Sequence, residues 1–265
     1  METRFTEFKN EILIREKEAN ACRLEYGRAY KSETFIELMQ VIKDNFEFAT
    51  RNKVIEPIII EAYKDEFNAN GIYCNVDCTS GFLLVCGSAT VRAYDSATVE
   101  AYDSATVVAY DSVTVKAYDS ATVVAYDSVT VGACGSATVR AYASATAVAC
   151  DSVTAVAYDS TTVVACGSAT IRAYDSVKVK ACDSATVRAY DSATVRAYDS
   201  TTVKAYDSTT VEARGSATVR AYDSAYVTSY HTIGCRLYNN AIYRIGESNT
   251  IRYTSGDIKF ERERK

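Results

Sequence analysis

Nine cysteines, a single histidine and a long series of Asp-Ser pairs are the residues in this chain whose types could do chemistry. Cys134, Cys150, Cys166 and Cys182 recur at intervals of 16 residues, so in a stacked fold they fall on neighbouring turns, within the usual Cα reach of a disulfide. Reduced thiols are the expectation for a cytosolic chain, and replacement of Tyr by Cys on a less constrained face accounts for the column. Cys74, Cys78 and Cys86 lack a second cluster at zinc-site spacing, so no metal site is assigned. His231 is the only histidine, has no partner motif around it, and reads as a turn or surface residue. Neither a Walker loop nor a dinucleotide-binding glycine pattern occurs. The Asp-Ser pairs invite thoughts of a cation column, but calcium sites converge more ligands than one carboxylate per turn. Turn chemistry explains them, with the short carboxylate bonding local backbone N–H groups and Gly replacing it at Gly87, Gly135, Gly167 and Gly215. No catalytic residue, cofactor or metal is therefore expected, and the chain does not read as an enzyme.

The element that must position these residues is an octad, first seen as Ser88–Asp95 and reading Ser-Ala-Thr-Val-Arg-Ala-Tyr-Asp. Serine then falls at every eighth position to Ser224. Repetition this strict means stacked supersecondary units. Thr-Val-x-Ala-Tyr alternates with period two, which predicts a five-residue strand, and Asp-Ser predicts a tight turn. Val and Ala face inward, because the variable position holds Arg92, Glu100, Lys116, Lys180, Arg188 and Glu212 and its side must meet water. The interior is thin, so Tyr projects outward or sits at a corner.

The exceptions set the number of octads per turn. The Tyr position becomes Cys or Arg only in alternate octads, at Cys134, Cys150, Cys166, Cys182 and Arg214, with Cys86 in the same phase. The true period is thus 16, and the predicted fold is mainly β: a flattened two-strand parallel β-solenoid with 16 residues per rung. A three-sided coil of 24 would scatter those exceptions over every face. Eighteen octads give nine rungs, or ~43 Å of axis at ~4.8 Å per rung.

The two faces differ. One keeps an unbroken Thr column from Thr90 to Thr218. Beside it run Arg92, Val108, Val124, Arg140, Val156, Arg172, Arg188, Lys204 and Arg220, without an acid. Its Tyr column is Tyr94, Tyr110, Tyr126, Tyr142, Tyr158, Tyr174, Tyr190, Tyr206 and Tyr222. The opposite face carries the Cys substitutions, Lys178 and Tyr226 in place of Thr, and charges of both signs.

The Ala-Tyr-Asp-Ser-x-Thr-Val octads resemble the tandem-repeat proteins of gut bacteria and their phages and mobile elements. For a mobile-element gene this resemblance implies interference with a host defence complex. The 16-residue rung with one Tyr per face is also similar to the solenoid of ice-nucleation proteins, whose Tyr ladder supports side-by-side association. Their paired Thr-x-Thr motif is missing, since Thr90 is followed two residues later by Arg92.

Residues 1–71 read as a helical cap. Phe5, Phe8 and Ile12 share one helix face, Thr34 and Glu37 form a capping box before Phe35, Leu38, Ile42 and Phe46, and Pro57 opens a third helix that Gly71 stops. These helices are expected to cover the open first rung, since exposed strand edges invite polymerisation; a separate partner-binding domain is the alternative. Residues 72–87 are a junction and first rung, 88–231 the octad solenoid, and 232–265 C-terminal rungs with a charged capping tail. There the register is expected to persist through Tyr238, Asn240, Tyr243, Ile245, Ser248 and Ile251.

A net charge of −5 argues against a strongly electrostatic nucleic-acid binder. Met1-Glu-Thr-Arg-Phe lacks a signal-peptide core, and no stretch approaches the ~20 apolar residues of a membrane span, so a cytoplasmic location is expected. What remains is the regular face, where Arg92, Arg140, Arg172, Arg188 and Arg220 border the Tyr column as they do in interface cores. It points to a binding scaffold that docks a protein partner or a second copy of itself. Recognition of a glycan or single-stranded nucleic acid through the Tyr and Arg ladder ranks second.

Overall fold

The computed structural model describes residues 4–259 and is a parallel β-solenoid with a helical region at its N-terminus. Equivalent octad positions pair at an offset of 16, as in Thr122↔Thr138 and Val123↔Val139, which excludes the three-sided coil. The strands begin with β1 (Ile72–Cys74), β2 (Phe82–Val85) and β3 (Thr90–Ala93), then follow one per octad as far as β20 (Tyr226–Ser229). Even-numbered strands form the first sheet and odd-numbered strands the second, from β3 to β21 (Gly234–Leu237).

Each repeat strand is four residues, Thr-Val-x-Ala, one shorter than the alternation predicts. Tyr lies just past the strand at the corner, half-buried, and its N–H donates to the Ala carbonyl of the rung before, as Tyr126 does to Ala109 at 3.0 Å. The small residue, Val and Ala of each octad fill the interior with almost no exposure. Where Thr takes the small position, its hydroxyl donates back to the Tyr carbonyl, at 2.6 Å for Thr161, which keeps a polar group satisfied inside an aliphatic spine.

The turn asparagine and aspartates adopt positive φ, from 51° at Asp95 to 60° at Asp111, and Gly takes the same conformation at Gly135. That explains the exchange of Asp for Gly, since both tolerate the left-handed region. The carboxylates do not bond locally, however. Most reach the backbone N–H of the same position one rung earlier: Asp111 accepts from Asp95, Asp159 from Ala143 and Asp175 from Asp159, at 3.2, 2.9 and 3.1 Å. The turns are thus stitched along the axis.

The helical region has six helices rather than three: α1 (Arg4–Glu18), α2 (Arg23–Lys31), α3 (Phe35–Asp44), α4 (Phe46–Arg51), α5 (Pro57–Ala62) and α6 (Lys64–Ala69). The Thr34 hydroxyl caps α3 by accepting from Glu37 N–H at 3.3 Å. Asn45 and Tyr63 leave helical geometry and break what the apolar spacing joins. The region is not a plug over the first rung alone. It packs against β1 and across the outer face of the first sheet, sharing a core with Ile72 and Leu84, with Phe46 and Phe82 rings 5.0 Å apart. Leu84 and Glu100 hold the variable position that elsewhere meets water, and both are buried here, at 2% and 1% exposure. The leading edge of the second sheet is met instead by the junction, where Cys78 bridges to Ala93 and Arg92 N–H donates to Asp77.

At the far end the octad register holds through β22 (Ile242–Ile245) and then stops. The chain reverses, so β23 (Thr250–Tyr253) runs antiparallel to β22 and β24 (Gly256–Lys259) antiparallel to β23. Ser248 and Ile251 therefore do not continue the spiral. Tyr243 occupies the inward Val position, pairing with Val227. Its buried hydroxyl contacts Ser229 Oγ at 2.7 Å and accepts from Ile233 N–H at 3.0 Å. The charged segment at 260–265 lies outside the described residues.

Candidate interaction face

The second sheet presents the Thr column and the Arg/Val column on its outer face, with the Tyr column along its border. Strand alternation requires this, since Val and Ala point in and Thr and the variable residue point out. Arg92, Arg140, Arg172, Arg188 and Arg220 are all exposed, as expected. Lys204 and Arg236 extend the same column. Arg236 pairs with Arg220 in register and is a residue that the fading consensus hides, although its spacing of 16 from Arg220 marks it.

The cations of this face stand opposite one another. Arg172 pairs with Arg188, Arg188 with Lys204, Lys204 with Arg220, and Arg220 with Arg236. Among the described residues, only Arg92 at the leading edge has an acidic neighbour, Asp77 at 3.9 Å. The first sheet handles its charges differently: Arg196 and Arg214 both pair with Glu212, at 3.4 and 2.6 Å, and Lys116 pairs with Glu47 and Glu100. The first sheet thus mixes charges of both signs and pairs part of them internally, whereas the cationic column of the second sheet carries charge of one sign.

The ten rings from Tyr94 to Tyr238 form a continuous ladder, with centroids 4.5–5.2 Å apart and near-parallel planes. The ring faces are consumed by these contacts, leaving edges and hydroxyls toward solvent. The two columns are electrostatically adjacent. Burial, with Tyr190 and Tyr222 alongside, raises the Tyr206 hydroxyl pKa, while Arg188 and Arg220 pull it the other way.

On the leading rungs of the first sheet the Tyr position is spent on the helices. The Tyr102 and Thr50 hydroxyls lie 2.9 Å apart, Tyr118 donates to Glu47 at 2.9 Å, and Arg51 sits 5.7 Å from the centre of the Tyr118 ring. Hydrogen bonds from Lys116 and Tyr118 hold the Glu47 carboxyl below its ordinary pKa. Burial beneath the helices pushes Glu100 up to about 7, with Glu47 adding to the rise and Lys116 opposing it. This polar seat for the helical region is invisible in the repeat consensus. Where the helices end the column turns to Cys134. His231 lies exposed near the last turns, with Nδ1 2.9 Å from Glu247.

No helix among the described residues is long and apolar enough to cross a membrane. No protein-family model, curated protein or solved structure matches this chain, and a functional reading rests on the geometry of its own two faces.

Proposed function

We propose that this protein is a non-enzymatic binding scaffold that docks an acidic protein surface along the outer face of its second sheet. The observation that supports the reading is the row Arg172, Arg188, Lys204, Arg220 and Arg236, five cations in register on successive rungs, none of which forms an ion pair among the described residues. Like charges directly opposite one another destabilise a sheet. A partner with the opposite charge relieves that cost and gains steering and register from the row. A second copy offers the same sign through the same face, which repels an isologous dimer. A host defence complex, suggested by the resemblance to phage and mobile-element repeat proteins, is one such partner.

Recognition of a polymer ranks below this. Base stacking needs open aromatic faces, and the Tyr faces are occupied by one another. Fluorescent poly-L-glutamate tests the proposal. It should bind at low salt, lose binding to the Arg172→Glu, Arg188→Glu, Arg220→Glu triple variant, and keep it with Lys178→Glu, Lys180→Glu on the opposite face. No binding at low salt, or equal loss in both variants, would overturn the proposal. Tighter binding of oligothymidine would favour the polymer reading, and a dimer in light scattering that the triple variant dissociates would favour self-association.

A further inference from the structure

The first sheet's corner carries Cys134, Cys150, Cys166 and Cys182 on four consecutive rungs. The residues that follow them alternate: Cys134-Gly135 and Cys150-Asp151, then Cys166-Gly167 and Cys182-Asp183. A two-rung unit is thus written twice in succession, a regularity that random loss of Tyr does not require. In the second unit the sulfurs of Cys166 and Cys182 lie 2.9 Å apart. The Asp183 carboxylate joins them, with one donor atom from each residue inside a 4.8 Å group. That carboxylate is held in place, because its Oδ2 accepts from Gly167 N–H at 3.0 Å. The first unit repeats the brace, with Gly135 N–H donating to Asp151 at 3.1 Å. All four thiols are half-buried at the corner, reachable from solvent.

We propose that Cys166, Cys182 and Asp183 bind a thiophilic d10 metal ion of the zinc and cadmium class, and that Cys134, Cys150 and Asp151, whose donor atoms do not all lie within 4.8 Å of one another, close into a second site of the same kind when the ion binds. Thiolate sulfur selects such ions over hard cations. With metal–sulfur bonds near ~2.3 Å, two sulfurs on one ion stand roughly 3–4 Å apart, which a small side-chain rotation provides from the spacing seen. Two sulfurs and one oxygen leave a fourth position for water or an exogenous ligand. Binding converts two thiols to thiolates, so M²⁺ displaces two protons to solvent and its charge is met by two sulfurs and one carboxylate.

Cadmium alone is the probe. Titrated into the fully reduced chain, it should produce a sulfur-to-cadmium charge-transfer band that saturates at roughly two ions per chain, one for each site of two thiolates and a carboxylate. Cys166→Tyr with Cys182→Tyr should halve that count, and the same changes at Cys134 and Cys150 should remove the rest. These variants restore the octad's own residue, so circular dichroism should show the solenoid intact. Asp183→Asn keeps an acceptor for Gly167 N–H and should weaken its site ~10-fold without changing the count. Absence of the band from reduced protein overturns the proposal, as does an unchanged count in the fourfold Tyr variant. Equal cadmium uptake by protein whose Cys166 and Cys182 are joined in a disulfide, found by non-reducing peptide mapping, overturns it too.

Discussion

Replacing Ala143 with asparagine should make the solenoid more stable. Ala143 occupies the turn position with φ of +58°, where the Cβ of an L-residue crowds the backbone at a cost of about 1–2 kcal/mol. Asparagine tolerates that conformation better, and Asn239 already adopts it at φ +56° in a later turn. The missing acceptor matters as well. Asp159 caps the Ala143 amide at 2.9 Å, whereas alanine offers nothing to the Asp127 amide one rung before. A carboxamide oxygen there contributes roughly 0.5–1 kcal/mol, and relief of the backbone a similar ~0.5–1 kcal/mol. The sum, about 1–2 kcal/mol, slows local opening by roughly 5–30-fold. Aspartate would supply the same cap but would stand one rung from both Asp127 and Asp159, each repulsion worth about 0.8 kcal/mol in water before salt screens it. Asn should therefore exceed Asp at low ionic strength, with the two converging as salt rises. Native-state hydrogen exchange at the Asp127 amide reads the effect locally, and Ala143→Gly isolates the backbone contribution because it relieves φ without adding an acceptor. If that amide exchanges as fast in Ala143→Asn as in the parent, or if glycine matches asparagine, the inter-rung cap carries no stability.

Two further perturbations test the ends of the rod. Burial raises the folded pKa of Glu100 from its ordinary 4.5 to about 7, so its contribution to stability is present below the unfolded value and lost as pH rises through about 7. Glu47 works oppositely, its pKa lowered by Lys116 and Tyr118, so its contribution is lost as pH falls below the ordinary carboxylate range. Docking of the helical region, followed by hydrogen exchange at Leu84, should weaken between about pH 4.5 and about pH 7, and Glu100→Gln should flatten that limb; an unchanged slope would refute the assignment to Glu100. At the other end, Tyr243→Phe removes a buried hydroxyl bonded to Ser229 and Ile233 and should cost about 1–3 kcal/mol. The loss should appear as faster exchange at Ile233, and parent-like exchange there would show the hydroxyl to be dispensable.

The solenoid was legible because its chemistry repeats: exceptions such as Cys134 and Arg214 all keep one phase, and a two-strand rung is the arrangement that stacks them. The separation of a mixed-charge face from a cationic one followed from the same phase. The helical region was less legible, since three short apolar patterns do not disclose the breaks at Asn45 and Tyr63 or the extra helix at Arg23–Lys31. Its seat was missed because Leu84 and Glu100 occupy a column that reads as solvent-facing in every other rung. The reversal after Ile245 was missed as well, because Ser248 and Ile251 fall on the octad spacing although the Val and Ala that would carry the spiral on are gone. The Asp-Ser turns are plain in the sequence, but the reach of their carboxylates to the previous rung needs the third dimension that a linear pattern lacks.

The strict partnering of each residue with the one sixteen places later also constrains how such a gene changes length. Gain or loss of two octads shortens or lengthens the rod and leaves every later side chain on its own flank. Gain or loss of a single octad rotates all that follows by half a turn, so the arginines downstream would emerge among the cysteines. Copy number in this protein is therefore free to drift only in pairs.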